Sequence, residues 1–166
     1  MRKALLARFF LLGFLGTFLA VSVARAGGPY QFFSVTPCRI ADTRNPVGLN
    51  AGPAIQHAAT RNFQVSGSGT WGNCNIPTTA TAAVINVTVV SPTAQGFLTI
   101  WPYNTAVPVA ASIVFDAGEP AIGNGAIVPL TEGDPSNFNI SVSPGLAGGG
   151  TNSLDIVIDV TGYFAP

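Results

Sequence analysis

From Tyr30 onward the apolar residues fall in short bursts, each closed off by a cluster of glycine, proline, asparagine or aspartate. Ala82 to Val90 (AAVINVTVV) is rich in β-branched side chains, which pack well on a pleated surface, and predicts a strand. Arg61 to Val65 alternates polar and apolar positions, the period of a half-buried strand. Tyr30 to Thr36 alternates loosely before Pro37, which predicts an edge strand that continues extended from Cys38 to Thr43. Phe97 to Trp101, Val109 to Phe115, Gly125 to Leu130, Phe138 to Val142 and Leu154 to Phe164 are further strand candidates. Between them lie turn formers: Asn45 to Ala54, the loop Ser66 to Asn75, and the runs SPTAQG, DAGEP, TEGDPSN and SPGLAGGG. No window carries the apolar period of a helix. About eight or nine short strands, spaced roughly 8 to 15 residues apart, predict an all-β antiparallel β-sandwich. The expected strand order is jelly-roll-like, with an immunoglobulin-like order as the alternative, and the missing helices exclude parallel βαβ units.

Two pentapeptides echo one another: Val84-Ile85-Asn86-Val87-Thr88 and Val157-Ile158-Asp159-Val160-Thr161 both read V-I-(N/D)-V-T. The expectation is a pair of central strands in similar places in two halves of a sandwich, against chance recurrence in β-rich sequence.

The first residues are of a different kind. Arg2, Lys3 and Arg8 precede an almost uncharged run from Phe9 to Val23, and Ala24-Arg25-Ala26 offers a small-x-small cleavage site. That is the build of a secretory signal peptide over residues 1–26, too short to span a bilayer well and followed by no stop-transfer segment. A helix there is an address to be removed, leaving one domain, residues 27–166, that is secreted to the medium, the periplasm or the cell surface. Four of the seven basic residues leave with the signal. What remains has Arg39, Arg44 and Arg61 against seven carboxylates, formally −4, and no lysine. A surface so poor in cations cannot neutralise a row of phosphates or hold to anionic headgroups, which argues against nucleic acid and against membrane attachment of the mature form.

Cys38 and Cys74 are the only cysteines. In an oxidising compartment they are expected to form one disulfide, closing a loop of about 37 residues and worth on the order of 4 kcal/mol by chain entropy. The alternative is a pair of free thiols or half of a metal site, for which CxxC spacing is missing.

Asp42-Thr43-Arg44 joins a carboxylate, a hydroxyl and a guanidinium. Arg44 could hold a carboxylate or sulfate ligand through its planar fork, or pair with Asp42 or Asp159. Pairing is favoured by Asp159, which lies inside an apolar strand where a bare carboxylate is costly. Trp71 sits in a Gly/Ser loop and Trp101-Pro102-Tyr103 ends a strand, so Trp71 and Tyr103 are candidates for stacking on sugar rings, while Trp101 reads as core. Asp116, Glu119, Glu132 and Asp134 lie in loops that, facing each other at one end of a sandwich, would offer oxygen ligands to Ca²⁺; the plainer reading is solvated turn formers. His57 is the only histidine, and no G-x-S-x-G or H-E-x-x-H string occurs. The catalytic arrangement left is a two-carboxylate glycosidase from Glu119 and Glu132. No cofactor is called for. Asn86-Val87-Thr88 and Asn139-Ile140-Ser141 fit the N-glycosylation pattern, though both asparagines fall in expected strands.

Four strings follow in order along the chain: FSVTPCRIADTR from Phe33 to Arg44, AVINVT from Ala83 to Thr88, GFLTIWP from Gly96 to Pro102, and DVTGYF from Asp159 to Phe164. In them the chain resembles a group of exported bacterial modules with PCRxxDTR, NVT, GFLTxxP and DVTGYF signatures, which occur singly, in tandem or appended to secreted hydrolases. The resemblance implies an extracellular β-module without an assigned reaction, and it brings no catalytic residue. Physically, the shared strings read as fold determinants. Gly162 lets the chain leave a strand beside bulky rings, Tyr163 and Phe164 close the end of the core, and Asp42, Arg44, Asn86 and Asp159 form one buried polar network. On that reading Asp159→Ala lowers thermal stability by several degrees. The expected function is a non-enzymatic structural or adhesive surface module, its partner a surface protein or a polysaccharide and its oligomeric state open. A carbohydrate-binding module using the loop aromatics is the alternative, and a secreted hydrolase a remote one.

Overall fold

A computed structural model describes residues 29–67, 74–134 and 136–166; the expected signal segment and Trp71 lie outside the described residues. Among the described residues the chain forms nine strands and no helix. They are β1 (Gln31–Asp42), β2 (Ile55–Gln56), β3 (Arg61–Phe63), β4 (Ala82–Val90), β5 (Gly96–Pro102), β6 (Ile113–Phe115), β7 (Ala121–Pro129), β8 (Ile140–Leu146) and β9 (Ser153–Ala165). One sheet runs β1-β9-β4-β7, with β2 added against β9, and the other runs β3-β8-β5-β6. Every pairing between these strands is antiparallel.

Leaving out the two-residue β2, the pairs β5/β6, β4/β7, β3/β8 and β1/β9 are nested one inside the next. The chain is one long antiparallel hairpin, turned between β5 and β6 and rolled so that successive segments fall in opposite sheets. β9 then closes on β4, and β8 on β5. That is jelly-roll order, and it sets aside the immunoglobulin-like alternative.

The core follows from alternation. In β4, Ala83, Ile85, Val87 and Val89 are buried while the residues between them are partly exposed. They share one apolar cluster with Leu98, Ile140 and Val142 of the other sheet and with Ile40, Ile156 and Ile158 of their own. Each large aliphatic side chain so buried contributes roughly 1.5–3 kcal/mol. The expected disulfide, Cys38–Cys74, ties β1 to the segment that leads into β4, with Cα atoms 5.7 Å apart.

Several expectations are corrected. The V-I-(N/D)-V-T echo does not mark two halves of a sandwich. Its copies lie side by side in one sheet as β4 and β9, with Asn86 directly opposite Asp159. Strand β8 runs on through Ser143-Pro144-Gly145-Leu146, which reads as turn in the sequence. Proline is tolerated there because the Ala58 N–H donates to the Pro144 carbonyl (2.8 Å), so residue 144 turns its main-chain groups away from β5, on a side where no donor is required. Val109 to Ser112 is not strand. Ser112 reaches β5 irregularly instead, its N–H donating to the Leu98 carbonyl and its hydroxyl accepting from the Ile100 N–H (3.0 Å). The chain also does not leave a strand at Gly162, which lies within β9. Phe32 covers that position so closely that a Cβ there would stand 2.4 Å from its ring.

Candidate functional site

The polar strings converge on the solvent face of the β1-β9-β4-β7 sheet. The side of β4 turned from the core carries Ala82, Val84, Asn86, Thr88 and Val90, and register sets Arg39, Asp159, Asn86 and Gly125 in one row across four strands. Arg39 Nε donates to Asp159 Oδ1 (2.9 Å) and its Nη1 to Asp42 Oδ2 (3.3 Å). Arg44 forks onto the same aspartate, Nε to Oδ1 at 2.8 Å and Nη2 to Oδ2 at 2.5 Å. Thr43 Oγ1 donates to Asp155 Oδ1 (2.7 Å) and accepts from the Ile156 N–H (2.8 Å). Asp42 thus sits between two guanidiniums with its side chain only 6% exposed, whereas those of Arg39 and Arg44 are nearly half exposed.

The charges act on one another accordingly. The Arg44 side chain, by its hydrogen bonds, holds the Asp42 carboxyl below the ordinary carboxylate range, against burial, which pushes it up. Asp159 in turn raises Arg39, and Asp42 raises Arg44, each chiefly through its hydrogen bond.

The expected buried network of Asp42, Arg44, Asn86 and Asp159 is therefore different in two respects. Only Asp42 is buried, since Asp159 is on the solvent parity of β9 and Arg44 is nearly half exposed. Asn86, though opposite Asp159, turns its amide to Thr88 Oγ1 (3.2 Å). The link between Asp42 and Asp159 is Arg39, whose signal in the sequence was its place in the PCRxxDTR string.

The four acidic loop residues do not face one another. Asp116 and Glu119 precede β7, Glu132 and Asp134 follow it, and a nine-residue strand holds the two loops about 25 Å apart. Glu119 accepts from the Asp116 N–H (3.4 Å) and Asp134 from the Ser136 N–H (2.8 Å), so each closes its own turn. Among the described residues no group of three His, Cys, Asp or Glu gathers where a metal ion could be held. The same span separates Glu119 from Glu132 far beyond the reach of a two-carboxylate glycosidase. Tyr103 packs against Phe138, ring centroids 5.5 Å apart. Trp101 is buried, but on the side of β5 opposite Leu98 and Ile100.

The other sheet carries a hollow on its solvent face, about 670 Å³ in volume. Phe97, Thr99, Ser143 and Gly145 form one wall with His57, and the segment from Val107 to Ala111 forms the other. Phe97 is 45% exposed and stands over Gly145, where a Cβ would meet its ring at 2.3 Å. His57 Nδ1 accepts the Leu146 N–H (2.9 Å), which assigns the proton of the neutral ring to Nε2. Among the described residues no carboxylate lines this hollow.

Two buried amides, Asn50 and Asn139, clip loops to the strands. Asn50 donates to the carbonyls of Ile40 (2.9 Å) and Gln64 (2.7 Å) and accepts the Gln64 N–H (3.1 Å), joining the two sheets through a residue in an expected loop. Asn139 Oδ1 accepts from the N–H groups of Val65 (2.7 Å) and Ser66 (2.8 Å), and its Nδ2 donates to the Thr131 carbonyl (2.9 Å). With both amide atoms bonded and 6% exposure, Asn139 is a fold clip rather than a glycan acceptor. Arg61, its guanidinium pushed down by burial, donates to the carbonyls of Ala51, Gly52 and Pro53.

Fold and site define a disulfide-braced jelly roll with ion pairs on one solvent face and an apolar hollow on the other. Comparison with known protein families and with curated proteins finds no match to the chain. Among the described residues no helix is long and apolar enough to cross a membrane.

Proposed function

We propose that the chain is a non-enzymatic, secreted surface module that acts by adhesion, with the solvent face around Phe97 as its contact. The observation that carries this reading is the division of side chains between the two faces. All three arginines of the domain are engaged with carboxylates or main-chain carbonyls, and the hollow beside Phe97 is lined by apolar side chains, hydroxyls and one imidazole. Such a surface offers area and shape to a partner, and few charges that chemistry could use.

A second reading, polysaccharide binding, is supported by Phe97 itself. An exposed ring with the part-exposed Ser143 hydroxyl in the same hollow has the apolar face and polar neighbour on which a sugar stacks. Retention of the purified protein on an uncharged apolar resin and on insoluble polysaccharides, with and without Phe97→Ser, tests both. Adhesion expects retention on the apolar resin that falls at least several-fold in the variant. Retention on one polysaccharide, competed by its free sugar, favours the second reading. Turnover of chromogenic glycoside or ester substrates, lost on replacing a carboxylate, would contradict both.

A further inference from the structure

The four sheet edges are not alike. β3 and β6 are three residues long. β1 is long, but it carries Pro37 and Arg39 and shifts register between Ser34 and Cys38 and between Arg39 and Ala41. These are the devices that keep an edge from pairing with another chain. β7 has none of them. Its nine residues, AIGNGAIVP, include no charge, its only proline is the last, and its register with β4 is unbroken from Ala121 to Pro129.

The main-chain groups of this edge can be assigned. The Leu130 N–H donates to the Thr81 carbonyl (2.8 Å) and the Ser91 N–H to the Pro120 carbonyl (3.3 Å), one just beyond each end of the β4/β7 ladder. The hydrogen-bonded pairs between them are then Ala83/Val128, Ile85/Ala126, Val87/Asn124 and Val89/Ile122. Ala121, Gly123, Gly125 and Ile127 direct their N–H and C=O groups the other way, to the open edge, and all four are exposed. Among the described residues no other strand pairs with β7.

We propose that this edge is the interface of a homodimer, in which β7 pairs antiparallel with β7 of a second copy about a two-fold axis at Gly125, extending one sheet across both molecules. Two features select a second copy over an unrelated extended peptide. An antiparallel pair is self-complementary, and about eight main-chain hydrogen bonds form without any side-chain requirement. The axis places Ile127, 63% exposed, opposite Gly123 of the partner copy, and the fold itself uses that fit where Phe97 covers Gly145 across β5 and β8. Antiparallel pairing also sets the turn at Asp116 and Glu119 of one copy beside Glu132 and Asp134 of the other, so the dimer is expected to tighten as salt rises. The proposal is independent of the adhesive reading, since β7 belongs to the sheet that does not carry the hollow.

The test is sedimentation velocity on the protein expressed from Met1 and recovered as its host releases it, beside Gly125→Lys and Ile127→Lys. A Cβ at Gly125 meets nothing within 4 Å, and Ile127 is on the surface, so both variants keep the fold, which their melting curves check. The expected result is a dimer whose dissociation constant rises at least tenfold in each folded variant, as like charges meet at the axis in Gly125→Lys and the apolar cover of Gly123 is lost in Ile127→Lys. In hydrogen exchange, the amides of Gly123, Gly125 and Ile127 become protected as concentration rises. A monomer at high micromolar concentration overturns the proposal, as does a dimer in which those amides exchange freely or which both variants leave intact.

Discussion

Asn139 and Asp159 show how differently two polar residues act when their surroundings differ. Asn139 is buried and satisfies three main-chain groups, so Asn139→Ala leaves donors of Val65 and Ser66 without partners in the core. The expected loss is about 2–3 kcal/mol by chemical denaturation, with an unchanged denaturant slope. Asp159 lies on the solvent face in an ion pair with the half-exposed Arg39. Exposed pairs contribute about 0–1 kcal/mol, so Asp159→Asn should shift the midpoint little. A several-degree drop for this residue, expected from its place in an apolar string, belongs to a buried carboxylate, which it is not. A large effect at Asp159 together with a small one at Asn139 would reverse this assignment.

At the scale of strands, most of the fold was legible. β4, β5 and β9 stand out because β-branched and aromatic residues are continuous there and punctuation falls at their ends. β8 was obscured at Pro144 and Gly145, since tolerance of those residues depends on which side a neighbouring strand lies and on an aromatic ring arriving from elsewhere. The same holds for the candidate site. Asp42 and Arg44, two residues apart, were legible as a pair, but Arg39 bridges to Asp159 across 120 residues, a relation fixed only by register. Asn50 gave no signal because a buried amide in a Gly/Pro stretch has the composition of any turn. The Phe97–Gly145 contact makes a checkable prediction: Gly145→Ala should destabilise by roughly 1–3 kcal/mol, and the loss should shrink when Phe97→Ala is present, because the ring is what the new methyl group meets. Additive losses in that double-mutant cycle would place the strain elsewhere.

For the molecule as a whole, the nested hairpin order means that each outer pair closes a longer loop than the pair inside it, and β1/β9 joins the two ends of the domain. The disulfide shortens part of that span by tying Cys38 to Cys74. Replacing both cysteines by serine should lower stability by on the order of 4 kcal/mol, seen as a lower denaturation midpoint in the folded variant. Asp42, buried between Arg39 and Arg44, is the ionisable group placed to lock this roll. Its folded carboxyl titrates below its unfolded one, so its contribution is complete above the unfolded value and disappears as the pH falls through the folded value. The most direct measurement is the melting temperature of the native chain and of Asp42→Asn from neutral pH down through the carboxylate range. The native chain should melt several degrees higher at neutral pH and the two curves should converge in acid; coincident curves throughout, or a gap that pH does not close, would contradict the claim that Asp42 locks the fold.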